Sequence, residues 1–474
     1  MPIDVETYDS PGWWLRRLQR KLIDRQDRLD KLFARYEGNA PLPESLRDAP
    51  ETARKFHKTA RTNLAEMVVK GVVYKTNAVS IQTSRDNGET GDAKAWEAWR
   101  KAGMLVEGPS IVRNMLIAGD GYSIAALHDG KPAATSEDPR QVVTIHDPVR
   151  QSVIRAAGKF FVDDDLAESY AYLYRPGRVW VAVKRGTRGA RRAPRGRFDR
   201  SWEWSDQHGG EEGQALPAGF EDQMVVTRYR NDEGVGDFER HVDLLDRVDH
   251  LILQAMVVAT LQAFKQRAIK VDPKDMPDRD PQTGELISYD DVFLSSPDAL
   301  WKLPATADMW ESGTVDTTPI ITMVSKQIEL VSAVMFTPLS MFTPEGANQS
   351  AQGATLVREG ATFKVEDKHT RIGAAHAQTA ALIFRLANMP EIADPDTISI
   401  TFAPAERYSL SEKADAAVKA KASGVPWETI MRTVWQFGPE EIARMKTQRM
   451  ADAVLFPAEV GQTTPEDVAP TPEA

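Results

Sequence analysis

Four groups of side chains in this 474-residue chain have types and spacings that could do chemistry. Asp163-Asp164-Asp165 together with His146 is the donor set of a metal-dependent DNA-processing enzyme, with carboxylates to hold magnesium and an imidazole to move a proton. Consecutive residues point in different directions, so the same run also reads as a solvated turn. His369 and His376 can share one helical face, but two imidazoles without a placed third ligand make an incomplete metal site, and packed or solvated rings are the plainer reading. The stretch Lys184 to Arg200 gathers basic residues, Arg188, Arg191, Arg192 and Arg195 among them, with Gly and Pro in between. It is either a flexible arm for phosphate or a partner, or a loop whose charge aids solubility or meets an acidic neighbour. Met341-Phe342 sits between Pro338 and Pro344, where burial within its own domain is hard to arrange, so the pair suggests a contact surface.

Other chemistries are missing. There is no cysteine, which removes disulfides, thiolate catalysis and Cys-ligated metals. Gly130-Lys131 and Gly158-Lys159 are followed by Pro132 and Phe160, so no phosphate-cradling ATPase loop exists, and H-E-x-x-H, G-x-S-x-G and G-x-G-x-x-G are absent too. No cofactor is expected. With 59 Lys+Arg against 69 Asp+Glu the formal charge is −10, which excludes a generally basic nucleic-acid coat. Hydrophobic residues at 42% support two or three cores. The N-terminus shows no basic-then-apolar leader, and the longest uncharged apolar run, 251–264, falls short of the ~20 residues of a membrane span.

The elements that must position these groups follow from periodicity. Trp14, Leu15, Leu18, Leu22, Leu29, Leu32, Phe33 and Tyr36 mark an amphipathic helix over 11–37, and a second helix is expected over 52–70, closed by Gly71. Residues 72–81 read as extended, with short helices near 92–102 and 107–118. Strand signals follow at 122–127, 141–145, 169–174, 178–184, 201–204 and 224–229, giving the first half an α+β character. From 237 the pattern changes. Phe238, Val242, Leu245, Val248, Ile252 and Met256 recur every three or four residues to Arg267, predicting a helix about 45 Å long. A Pro- and Asp-rich stretch over 272–313 predicts a compact β-containing insertion. Pro319 opens another helix with Thr317 or Thr318 as cap, running through Ile328, Val331 and Val334 to about Phe336, where Pro338 stops it. Helix returns over 351–388, with Gly353, Gly360 and Gly373 as places to bend, and 398–402 reads as a strand. Three short helices over 409–453 and a Pro-, Thr- and Glu-rich tail expected to be disordered complete the chain.

Two long helices flanking an insertion plausibly lie side by side, and a helical hairpin cannot cover its own apolar faces; neighbouring copies in a ring could. This order of elements resembles the portal (head-to-tail connector) proteins of tailed bacteriophages, particularly the siphophage type of actinobacterial phages. The resemblance covers nearly the whole chain. It includes Trp13-Trp14, Arg35-Tyr36-Glu37-Gly38-Asn39 and Asn63-Leu64-Ala65-Glu66-Met67-Val68-Val69. It continues through Ala118-Gly119-Asp120-Gly121-Tyr122, Ile145-His146-Asp147-Pro148, Leu173-Tyr174-Arg175-Pro176 and 297–304.

The resemblance implies an α+β fold with portal-like architecture: a wing (1–236), a stem helix (237–268), a clip (269–314), a second stem helix (315–336), a tunnel loop (337–350), a long helix and strand returning to the wing (351–408), a crown (409–453) and a tail (454–474). Pro338, Met341, Phe342, Thr343, Pro344, Glu345, Asn348 and Gln349 would belong to the tunnel loop. It also implies a non-enzymatic ring, generally of twelve subunits, at one capsid vertex in the virion, assembled in the host cytoplasm. The expected partners are double-stranded DNA, the large terminase subunit, major capsid and scaffolding proteins and a head-completion protein, with no membrane. Twelve copies at −10 each give a formal ring charge near −120, and acidic walls repel phosphates and let a duplex slide. The competing expectations are the metal-dependent enzyme above and a capsid or scaffold component without a channel.

Overall fold

The computed structural model describes residues 3–42, 48, 50–85, 91–186, 198, 199, 201–263, 267–272, 274, 275, 277, 279, 280, 282–286, 306–311, 313, 315–342, 351–405, 410–435, 437 and 439–455. The first element, α1 (Pro11–Tyr36), starts where Ser10 Oγ accepts from the Trp13 amide and Pro11 presets the first turn. Its buried stripe crosses two cores. Trp14, Leu15, Leu18 and Leu22 pack with Phe160, Leu173 and Trp202, while Leu29, Leu32 and Phe33 belong to a larger, mainly helical core.

The expected single helix over 52–70 is two, α2 (Glu51–Thr59) and α3 (Leu64–Val73). A capping box makes the break: Asn63 Oδ1 accepts from the Glu66 amide and its Nδ2 donates to the Glu66 carboxylate. Gly71 does not close a helix but lies inside α3, where a side chain would meet Met341 Sδ and Cε at 2.9 Å. Likewise residues 72 and 73 are helical, and the strand β1 (Ala78–Gln82) is shorter than the extended segment expected.

After α4 (Ala93–Lys101) and α5 (Met104–Ala118) the chain reverses into β2 (Asp120–His128) and β3 (Lys131–Glu137). Then β4 (Val142–His146), β5 (Ile154–Asp163), β6 (Glu168–Arg175), β7 (Arg178–Arg185) and β8 (Glu203–Trp204) form an antiparallel sheet in sequence order, with β9 (Gln214–Ala215) also on β7. A separate three-stranded sheet has the order β10 (Val226–Arg230), β2, β3. Strands β3 and β5 were not expected. Their sequences, KPAATSE and IRAAGKFFVD, lack clean alternation, and pairing along a full neighbouring strand makes up for weak local propensity.

The second half is built from α6 (Val242–Ala263), the antiparallel pair β11 (Arg267–Lys270) and β12 (Asp308–Glu311), α7 (Thr318–Val334) and α8 (Ala351–Leu386), which is continuous through its three glycines. Then β13 (Ser399–Phe402) pairs antiparallel with β1, and α9 (Leu410–Ala422), α10 (Trp427–Thr433) and α11 (Pro439–Leu455) follow. The helix expected to run to Arg267 ends sooner, because Arg267–Lys270 pairs with Asp308–Glu311 as a strand. It also starts later: a 3₁₀ turn at Glu239–His241 precedes α6, and Phe238 is fully buried ahead of the helix rather than on it. The four-residue step from Phe238 to Val242 mimics a helical repeat. Among the described residues no helix is long and apolar enough to cross a membrane.

The reversal after α5 depends on Gly119, whose φ of +84° suits a residue without a side chain and whose Cβ would lie 2.0 Å from the Gly234 carbonyl oxygen. Gly119→Ala is expected to cost about 3 kcal/mol or more through strain and displaced backbone. Thermal melting checks this; a midpoint within about 1 °C of the parent protein contradicts it.

Candidate functional site

The two antiparallel helices α6 and α7 are buried at one end only. On α6, Leu244, Leu245 and Val248 sit in the large core, Val242 and Ile252 lie against its edge, and Met256 is half-buried further out. On α7 the order runs the other way: Val331 is buried, Ile328 flanks the core, and the earlier turns emerge. The emerging part exposes apolar side chains, Val257, Ile321 at 57% and Met323 at 52%, among polar ones such as Lys326 and Glu329, and Leu330 and Val334 are exposed at the root turn on the side away from Val331. The sequence pattern singled out Ile328, Val331 and Val334 on this helix, the first two as stem residues. The exposed Ile321, Met323 and Leu330 were missed, although the three-sided distribution of apolar residues along 319–334 signals them.

The root of this hairpin is held by charge. Asp237 is buried five residues ahead of α6, with Lys364 Nζ at 2.9 Å and Lys368 Nζ at 3.4 Å, both from α8. Burial works to raise the Asp237 carboxyl, but the two ammonium groups prevail and hold it below the ordinary carboxylate value. Lys368 also donates to Asn231 Oδ1, and Lys364 donates to the carbonyl of Met335, just past the end of α7. From α1, Arg28 grips Glu239 through both carboxylate oxygens and Arg35 pairs with Asp246.

Beyond α7 the chain turns sharply. Phe336 has φ +49°, Ser332 Oγ donates to the Thr337 carbonyl, and Pro338 leads into a 3₁₀ turn over Leu339–Met341. Met341 packs at Gly71 of α3, and Phe342 lies against the large core. The opening of the supposed contact loop is therefore anchored to the body, not free. Thr343, Pro344, Glu345, Asn348 and Gln349 lie outside the described residues, as do Arg188, Arg191, Arg192 and Arg195.

The enzyme-like groups do not converge. Asp163 Oδ1 accepts from the amides of Asp165 and Leu166, the solvated turn expected between β5 and β6. His146 pairs with Ile154 at the far end of β5, nine residues from Asp163, or roughly 30 Å along the strand. Its imidazole shares hydrogen bonds with Thr144 and Arg228, and burial, helped by Arg228, pushes it down to about 4. Among the described residues no group of three or more His, Asp or Glu side chains could hold a metal.

His369 and His376 do share a face of α8, as packed rings. His369 donates from Nε2 to the Lys75 carbonyl and stacks on Phe402 at 4.6 Å between ring centres. His376 shares a hydrogen bond with the Tyr229 hydroxyl and meets Trp99 edge-on. Burial depresses His376 to about 3, so between pH 6.5 and 3 the unfolded chain binds a proton that the folded chain refuses. Stability therefore falls as pH drops through that window. His376→Asn keeps an acceptor for Tyr229, and its loss of unfolding free energy between pH 7 and 4.5 is expected to be about 2 kcal/mol smaller than the parent's in denaturant titrations. Equal losses contradict this.

Chains in three solved structures are similar to this one. One is described as the virion of a native gene transfer agent particle, with 12% identity and a TM-score of 0.45 over 82% of this chain and 95% of that one. A second, the neck of an empty particle with C6 symmetry, gives 12% and 0.47 over the same shares. A third, the neck of a native particle with C12 symmetry, gives 13% and 0.41 over 81% and 93%. No curated protein matches the sequence. The model of one family, described as phage portal protein, SPP1 Gp6-like, matches residues 15–454, and the chain belongs to that family of phage portal proteins.

Proposed function

We propose that this portal protein forms a closed ring of about twelve copies at one vertex of a phage capsid, and that double-stranded DNA passes along its axis during packaging and ejection. The observation that carries this reading is the apolar surface on the emerging half of the α6–α7 hairpin, which a single chain leaves in water. A head-to-tail ring covers it by setting α6 of one copy against α7 of the next.

In this reading residues 1–236 form the wing, 237–268 and 315–336 the stem, 269–314 the clip, 337–350 the tunnel loop and 409–453 the crown, with 351–408 returning to the wing. The large terminase subunit supplies ATP hydrolysis, for which this sequence has no phosphate loop. Capsid and scaffolding proteins surround the ring, and a head-completion protein docks after packaging. The chain's own part is mechanical, without catalysis. The net charge of −10 per copy favours a wall from which phosphates slide. The metal-dependent enzyme loses its support with the separation of His146 from Asp163 along β5. A capsid or scaffold component without a channel differs by having no axial hole.

Native mass measurement tests the ring: copies of 52.7 kDa should assemble to about 630 kDa, and Ile321→Glu with Leu330→Glu should reduce this to single chains. A parent protein that stays monomeric, or a double variant that assembles unchanged, contradicts the reading. Because Met341 is anchored in α3, the loop is best tested by removing residues 343–348, which should leave the assembled mass intact and reduce packaged or retained DNA. Normal genome filling by that deletion contradicts a working tunnel loop.

A further inference from the structure

Three charges meet at the hairpin root almost out of water: the side chains of Lys364, Lys368 and Asp237 are 12%, 7% and 3% exposed. Two nearly buried cations around the Asp237 carboxylate, with the half-exposed Asp367 at 3.7 Å from Lys368, are a costly way to hold helices together, since apolar side chains of similar volume would pack at least as stably. What such a node supplies is a fixed register. Among the described residues of the node, Lys364 touches both roots of the hairpin, Asp237 ahead of α6 and the Met335 carbonyl after α7. Lys368 reaches Asp237, Asn231 and its neighbour Asp367 but makes no described contact with α7.

We propose that Lys364 is a positioning residue that sets the angle at which the α6–α7 hairpin leaves the body and thereby selects the number of copies in the ring. The inference rests on the ring reading above. Its leverage is geometric: a twelve-membered ring turns 30° per copy and a thirteen-membered ring about 28°, so a tilt of roughly 2° separates the two. Phe336, with its left-handed backbone and its ring over Gly360 of α8, lies next to Met335, whose carbonyl Lys364 holds.

Native mass spectrometry of purified rings tests this with Lys364→Met, which leaves the balanced pair Asp237–Lys368 in the core. The parent is expected in one predominant ring size, Lys364→Met in two or more neighbouring sizes with a cooperative melt retained, and Lys364→Arg back in one. Lys368→Met removes an equally buried cation without severing α7 and should keep a single size. If Lys364→Met does not fold, Lys364→Gln, which retains a donor without the charge, is read in the same way. A parent-like single size in the Lys364 variant, or equal spreading in Lys368→Met, overturns the inference alone. A monomeric parent overturns the ring reading and this inference with it.

Discussion

A pair of antiparallel helices has more apolar surface than its two members can hide from each other, and a body that grips only one end cannot supply the rest. Here α6 enters the core at Leu244, Leu245 and Val248, and α7 at Val331 and Met335. Beyond those points Val257, Ile321 and Met323 stay in contact with water, and Leu330 does so on the outer face next to Val331. At about 25 cal/mol per Å² of apolar surface, covering several such side chains is worth a few kcal/mol per copy, which closure of the proposed ring would collect at every junction. The uncovered hairpin is thus the feature on which the proposed ring, and with it its proposed axial passage, rests.

The rest of the molecule acts as a mounting for that hairpin. Helix α1 runs from the sheet core at Trp14 and Leu18 to the helical core at Leu29 and Phe33, and on the way Arg28 and Arg35 take hold of Glu239 and Asp246 at the start of α6. Helix α8 takes hold of both roots through Lys364, and its far end packs through Leu382 and Leu386 against strands β2 and β10. Two long helices rather than loops thus connect the hairpin root to the sheets. The same root carries the turn at Phe336 and the seat of Met341 against Gly71, so loop and hairpin share one anchorage.

Much of this was legible in the sequence, because long amphipathic repeats declare themselves. The stripe from Trp14 to Tyr36 placed α1 to within a residue, and Pro319 marked the first turn of α7. What escaped was long-range. Phe238 matched a helical repeat yet serves the core, and Arg267–Lys270 matched it too yet pairs across a 37-residue gap with Asp308–Glu311. The break before α3 was readable in Asn63-x-x-Glu66, whereas β3 and β5 owe their existence to partners rather than to their own residues. The node of Asp237, Lys364 and Lys368 was invisible, since nothing local links a carboxylate to two ammonium groups more than a hundred residues away. The paired histidines of α8 were read as packed or solvated rings from the absence of a third ligand, and they sit as packed ones.

The most direct measurement is an electron micrograph of the purified, untagged protein. The account predicts end-on views of closed rotationally symmetric particles with a stain-filled central hole wide enough for a duplex, about 20 Å. Compact single globules, or symmetric particles sealed along the axis, would contradict it.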